Sequence, residues 1–268
     1  MIKGEDKVNQ VKTWSPSRYE KYRACPAKFK YEVIDKLCPL CFKGMLRGAW
    51  GEPQQCDACL KTPPEPDAFI KGNRLDAALE KFITDPKAVS LSPEVRNPKA
   101  RQLAGSVKAA FKKKVAKLQL TIKLDRNWNP VKTQWGYWVQ ARLDVLLMKK
   151  LRWEVIDWKS GGIDKRTGAV WSETKYDDQL SLYATTVLSA YPVVEEVVSS
   201  LCFLEAGPAY NPIVSRIDGN LKREDLKAAQ KKWEKKVTPM FNDQVFAPKP
   251  GACRYCPYQK GKGGPCAY

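Results

Sequence analysis

The sequence predicts an α/β protein, a mixed central sheet flanked by helices, with a small cysteine-rich insertion near its beginning. Three observations carry that expectation. Residues 139–147 and 152–159 repeat with period two and are parted by a short polar turn, as paired strands are. Long stretches on either side repeat every three or four residues instead, as amphipathic helices do. Four of the nine cysteines fall within residues 38–59, in a Gly- and Pro-containing segment that fits neither period. A chain of 268 residues, 43% of them hydrophobic, is long enough to bury a substantial core.

In chain order, Ser15-Pro16-Ser17 opens a first helix, with Ser17 and Glu20 at capping-box spacing, and Pro26 ends or kinks it just after Cys25. A second, basic helix is predicted over 27–36. Helical pattern resumes near Asp67. In residues 97–119, Leu103, Val107, Phe111, Val115 and Leu118 predict one amphipathic helix with a lysine-rich outer face. From Trp135 to Leu147, Val139, Ala141, Leu143, Val145 and Leu147 face one way, and Gln140, Arg142 and Asp144 the other. The segment MKKLR then turns the chain into a second strand, 152–159, on which Asp157 and Lys159 share a face. A helix over 175–190, a strand near 197–206 and a basic helix over 223–237 complete the pattern, and strands enclosed by helices give the α/β assignment.

The charge narrows the function. With 47 Lys and Arg against 29 Asp and Glu, the net charge is +18, which suits a polyanionic partner, nucleic acid first. No long apolar span, secretory signal or lipidation motif is evident, so the expectation is a soluble, cytoplasmic protein that does not engage a membrane. Trp128, Trp135, Trp138 and Trp158 lie among basic residues and could stack on unpaired bases, or simply fill the core.

Asp144 and Asp157, on adjacent strands, can converge on a hard divalent cation such as Mg²⁺, and Lys159 can orient a nucleophile or stabilise charge on a phosphate. The plainer alternative is an exposed ion pair, worth roughly 0 to 1 kcal/mol. Two helical pairs add to the pattern. Asp76 and Glu80 are four apart, so both carboxylates share a helix face, and Gln179 and Tyr183 have the same spacing.

Nine cysteines without a single histidine, several in close pairs, read as metal ligation rather than a disulfide framework. Cys38-x2-Cys41 and Cys56-x2-Cys59 have the spacing of a zinc ribbon, with a disulfide or an empty site as the alternative. Cys202, within an apolar strand, reads as a buried thiol.

Taken together these residues resemble the RecB-like branch of the PD-(D/E)XK nuclease superfamily, in particular its iron–sulfur members, the AddB-type and CRISPR-adaptation nucleases. ARLDVLL looks like the motif of the first metal-binding aspartate, EVIDWKSG like the acid-x-lysine motif and QLSLY like the Q-x3-Y helix. The resemblance implies a restriction-endonuclease-like core in which Asp144 and Asp157 bind Mg²⁺ or Mn²⁺ and Lys159 serves catalysis. Gln179 and Tyr183 would position the lysine or the DNA. Where the family places a metal-binding histidine, GNRLD has Asp76, an acceptable oxygen ligand for Mg²⁺ or Mn²⁺, with Glu80 as a further candidate ligand.

The resemblance also implies that Cys25, Cys253, Cys256 and Cys266 hold a [4Fe–4S] cluster joining the ends of the domain. Zinc on the same four thiolates is the alternative, and the gap from Cys256 to Cys266 is longer than the family's. The expected layout is N-terminal helices over 1–37, a zinc-ribbon insertion over 38–66, the nuclease core over 67–245 and a cysteine tail over 246–268. The expected activity is metal-dependent hydrolysis of DNA, exonucleolytic and favouring single strands, in recombination, repair or processing, with recombination or replication proteins as candidate partners. A DNA-binding or scaffolding protein that kept the fold without turnover is the alternative.

Overall fold

Alternating hydrophobics do form the central sheet. The computed structural model describes residues 11–47, 53–56, 67–133, 135–164, 166–167 and 176–268. They divide into two units, residues 66–233 and residues 1–65 with 234–268.

The first unit is built on a five-stranded sheet in simple sequence order, β3 (Ala116–Leu124), β4 (Val139–Lys149), β5 (Arg152–Lys159), β6 (Glu196–Phe203) and β7 (Ile213–Lys222). Every neighbouring pair is antiparallel except β5 and β6, which are parallel and joined through helix α5 (Asp177–Ala190). A parallel pair needs such a crossover, and a helix is the usual means. The β4–β5 hairpin is pinned by a two-residue turn, with Lys149 opposite Arg152 and Lys150 at φ 46°. Val139, Ala141, Leu143, Val145 and Leu147 are all buried, as the alternation predicts.

Helices α3 (Asp67–Thr84) and α4 (Pro98–Lys112) cover one face of the sheet. Leu75, Leu79 and Ile83 from α3 and Ala100, Ala104 and Val107 from α4 pack there with Val145, Leu147, Ile156 and Trp158. Helix α5 packs on the other face, where Leu180, Tyr183, Ala184 and Val187 are buried. Its C-terminal carbonyls are tied down by Arg223, whose guanidinium donates to Leu188 O at 3.1 Å, Tyr191 O at 2.8 Å and Val194 O at 2.6 Å. That arrangement satisfies carbonyls a helix end leaves unpaired.

The predicted helix over 97–119 is too long. The helix stops at Lys112, Lys114 turns through φ 59° and β3 starts at Ala116, with Leu118 paired opposite Val145. Val115 and Leu118 happen to continue the helical spacing, but Leu118, Leu120, Ile122 and Leu124 also alternate, and pairing with β4 decides between the two periods. Strand β7 went unforeseen. Trp128, Trp138 and Trp158 are core residues, and of the four tryptophans proposed for stacking Trp135 alone is exposed.

The second unit opens with α1 (Pro16–Ala24). Its cap is Ser15 rather than the predicted Ser17: the Ser15 Oγ accepts the Arg18 N–H at 3.3 Å and Pro16 fills the first helical position. Helix α2 (Pro26–Phe29) passes into a single π-helical turn, Lys30–Ile34. Phe29 is fully buried, with its ring 5.7 Å from Tyr22 and 6.3 Å from Phe246, so aromatic contacts bind the early helices to the late segment. A short hairpin, β1 (Met45–Arg47) with β2 (Pro53–Cys56), lies within the predicted insertion, and helix α6 (Leu226–Asn242) precedes the tail. Among the described residues no helix is long and apolar enough to cross a membrane.

Candidate active site and cysteine clusters

Asp157 lies on β5 facing away from Ile156 and Trp158, and only 2% of it is exposed. A buried carboxylate has to be matched by charge and hydrogen bonds. Three side chains provide them. Lys159 Nζ lies 2.5 Å from Asp157 Oδ2, Gln179 Nε2 donates to Oδ1 at 3.0 Å and the Tyr183 hydroxyl stands 3.4 Å from the same oxygen. Gln179 also accepts from Lys159 Nζ at 3.1 Å and contacts the Tyr183 hydroxyl at 2.6 Å. Helical spacing of four residues puts Gln179 and Tyr183 side by side on α5, where both reach the end of β5.

Asp144 sits on β4 beside this network, its Oδ2 accepting the Trp158 N–H at 2.9 Å. Asp76 and Glu80, one helical turn apart on α3, line a cleft with Asp144, Gln119 and Trp158. At Gly72 helix α3 approaches the residue that follows β5 closely: a Cβ there would lie 3.1 Å from the Ser160 Oγ. The acids act on one another. Burial, then the Asp157 and Asp76 carboxylates, push Asp144 up to about 7. Burial and Asp157 also raise Asp76, against the opposing pull of Lys159 and Arg142. Burial alone would lower the Lys159 ammonium, but Asp157 and Asp144 outweigh it and hold the lysine charged. Several carboxylates held together against their own repulsion suit a divalent cation with oxygen ligands.

All of the predicted carboxylates, the lysine, the glutamine and the tyrosine thus come together in one unit. Three neighbours were not singled out from sequence. Arg142 is held by the Gln119 amide oxygen, which accepts its Nε–H at 2.9 Å, and Lys159 Nζ lies 4.7 Å from the centre of the Tyr176 ring. Arg142 was visible in sequence on the strand face of Asp144; Gln119 lies in a segment whose spacing predicts helix, and nothing in sequence marks Tyr176.

Residues 13–260 match the PD-(D/E)XK nuclease superfamily. The chain belongs to this superfamily. Its nucleases hydrolyse phosphodiester bonds and use divalent metal ions. No curated protein matches the chain. Among solved structures, one similar protein is a candidate exonuclease from Eubacterium rectale, at 13% identity and a TM-score of 0.44 over 96% of this chain and 92% of that one. Another is the protein SSO0001, at 14% identity and a TM-score of 0.29 over 70% of this chain and 94% of that one.

Cys202 apart, the described cysteines of this superfamily member lie in the second unit, with Cys38, Cys41 and Cys56 in one neighbourhood and Cys25, Cys256 and Cys266 in another. The sulfurs of Cys38, Cys41 and Cys56 all lie within 4.8 Å of one another, with Cys41 and Cys56 at 3.1 Å, while Cys59 lies outside the described residues. Four thiolates at about 2.3 Å from one tetrahedral zinc stand roughly 3.8 Å apart, so the trio has the compactness a single ion requires. The knuckle is a tight turn: the Cys38 amide donates to Lys43 O, Phe42 adopts φ 60° and the Leu40 N–H points at the Cys38 sulfur at 3.4 Å, while burial raises the Cys38 thiol against that backbone donor.

The other group is looser. Cys25, Cys256 and Cys266 are buried, and the thiols of Cys25 and Cys266 both raise Cys256, whose pKa is lifted first by burial. Cys253 is half-buried, its thiol directed at Lys249 O at 3.8 Å. The long gap between Cys256 and Cys266 is taken up by a turn: Lys260–Lys262 coils as a 3-10 helix and the Cys266 N–H returns to Tyr258 O at 2.9 Å. Gly264 permits that return, since a Cβ there would fall 2.3 Å from Tyr258 O. Cys202 is buried in β6, and burial pushes its thiol up to about 12.

Proposed function

We propose that the protein is a Mg²⁺- or Mn²⁺-dependent deoxyribonuclease of the RecB-like iron–sulfur branch, exonucleolytic and favouring single-stranded DNA, acting in recombination, repair or processing in the cytoplasm. The observation that carries this reading is the charged Lys159 bonded to Asp157 and Gln179 beside a cleft lined by Asp76, Glu80 and Asp144.

Asp144, Asp157 and Asp76 would hold the divalent ion, with Glu80 within reach of the same cleft. Bound there, the ion would supply Lewis-acid stabilisation of phosphate charge and an activated water. Lys159 meets the negative charge that develops on the phosphate. Gln179 and Tyr183 keep Asp157 and Lys159 in register, and Arg142 offers a second cation at the cleft for the strand's phosphates. Cys25, Cys253, Cys256 and Cys266 would hold a [4Fe–4S] cluster, and Cys38, Cys41, Cys56 and Cys59 a zinc ion that fixes an inserted ribbon over 38–66. Residues 1–37, 67–245 and 246–268 would be the helical opening, the nuclease core and the cysteine tail.

The reading is tested with end-labelled single- and double-stranded DNA and each metal in turn. Progressive shortening of the single strand, dependent on Mg²⁺ or Mn²⁺, is the expected result. A protein that binds both DNAs and cuts neither would instead be a nuclease-fold binding or scaffolding protein, the reading that Asp76 in the place of histidine favours.

A further inference from the structure

Tryptophan is costly to leave in water, yet Trp135 is 82% exposed. It lies in the loop that joins β3 to β4. Because β5 runs antiparallel to β4, this loop stands at the end of the sheet toward which β5 carries Asp157 and Lys159. About 20 Å of extended strand separates Trp138 from Asp144, the reach of a few nucleotides.

The loop is braced at its base. The Asp125 Oδ1 accepts the N–H groups of Asn127 and Asn129, each at 2.8 Å, and Val131 and Trp138 donate to the Lys123 and Leu124 carbonyls, each at 2.8 Å. Trp128 and Trp138 pack edge to face at 5.4 Å beneath it. Beyond that base, Gly136 turns the chain at φ 81° and the Thr133 hydroxyl donates to Trp135 O at 2.5 Å. The same region carries cations: Lys132, three residues before Trp135, is exposed, and Lys123 Nζ, from the end of β3, lies 5.1 Å from the centre of the Tyr137 ring.

An exposed ring on a supported loop with lysines close by in sequence has the two elements of a single-strand contact: a π-face for a base and positive charge for the phosphates. In a duplex the interior base faces are already stacked, so the indole has nothing to lie on. We infer that Trp135 stacks on an unpaired base of single-stranded DNA leading to the active site, with Lys132 and Lys123 meeting the adjoining phosphates. The inference rests on the nuclease reading for its direction, and its test is independent of cleavage.

The test is fluorescence anisotropy with a dye-labelled oligo-dT, an oligo-U RNA and a blunt DNA duplex, all of equal length, using the full chain with Ca²⁺ in place of Mg²⁺. Trp135→Ala should weaken oligo-dT binding about tenfold, leave duplex binding unchanged and leave the salt dependence as it is. Trp135→Phe should restore most of the affinity, because a ring remains. Lys132→Ala should instead flatten the salt dependence. Circular dichroism should be that of the wild type for all three, since the side chains are exposed. Wild-type oligo-dT affinity in Trp135→Ala, equal losses on single strand and duplex, or a loss confined to oligo-U RNA would each overturn the inference. If the wild type cuts no DNA while Trp135→Ala still loses single-strand affinity selectively, the nuclease reading falls and the stacking contact stands.

Discussion

Asp144 and Asp157 meet across neighbouring strands, whereas Cys25 and Cys256 come together from nearly opposite ends of the sequence. The acids are placed by backbone pairing: the β4–β5 ladder sets their positions, and α3 and α5 bring the remaining groups to them. The cysteines are placed by turns, caps and a single π-helical turn, elements with few hydrogen bonds of their own. The contrast teaches what each site would ask of a metal. A sheet can hold acids together at an electrostatic cost, so a cation bound there would relieve repulsion between carboxylates that are already placed. Irregular segments have less order of their own, so a metal bound among the thiolates would become part of the fold.

The sharpest way to break the comparison is to remove chemistry while keeping structure. Asp157→Ala and Lys159→Ala should each lower single-strand cleavage about 10³-fold or more. DNA affinity in anisotropy should hold, because the basic surface dominates binding. A variant that still cuts at the wild-type rate would remove its residue from the site.

The thiolate side predicts the reverse. In anaerobically prepared protein, Cys256→Ser should bleach the iron and lower the thermal midpoint by on the order of 10 °C. Cys41→Ser should release one zinc and keep the colour. Elemental analysis and thermal unfolding report both, and colourless wild-type protein with two zinc ions and no iron would refute the cluster.

These predictions lean on parts of the molecule that were unequally legible. The hairpin could be read because Val139 to Leu147 alternate without a break and the turn is polar and short. The end of α4 could not, because Val115 and Leu118 satisfy two periods at once and only pairing with β4 chooses. Asp144, Asp157, Lys159, Gln179 and Tyr183 were readable from spacing and family motif. Arg142 was visible on the strand face of Asp144, whereas the parts played by Gln119 and Tyr176 depend on which elements touch, information that no single segment holds. The return of Cys266 depends on the bare backbone of Gly264, which is visible only once the approach to Tyr258 is known.

A smaller effect tests the network that supports the lysine. Gln179→Leu removes the bridge between Asp157, Lys159 and Tyr183, and should cost roughly 10- to 100-fold in cleavage with DNA affinity unchanged. Full activity in that variant would make the bridge a packing feature.

The smallest concerns the metal-free state. Because the Asp144 carboxyl is raised from 3.8 to about 7, the fold keeps a proton that the unfolded chain releases. Stability therefore falls as pH rises between those values and stays reduced above them. Asp144→Asn, which still accepts the Trp158 N–H, should be the more stable protein at pH 8 by denaturant unfolding and lose that advantage near pH 4. Equal pH profiles for the two proteins would contradict the crowding of acids.

The two-residue turn at Lys150 also sets an order of events. A hairpin of this kind closes in about 1 to 10 μs, so both strand aspartates can take their places while the chain is still being made. Cys256 follows Cys25 by more than two hundred residues, and at 5–20 residues per second the ribosome needs roughly 10 to 50 seconds to bridge them. Throughout that interval the Cys25 thiol has no tail to meet, so a nascent chain exposed to oxidant is vulnerable there long after its acidic residues have found one another.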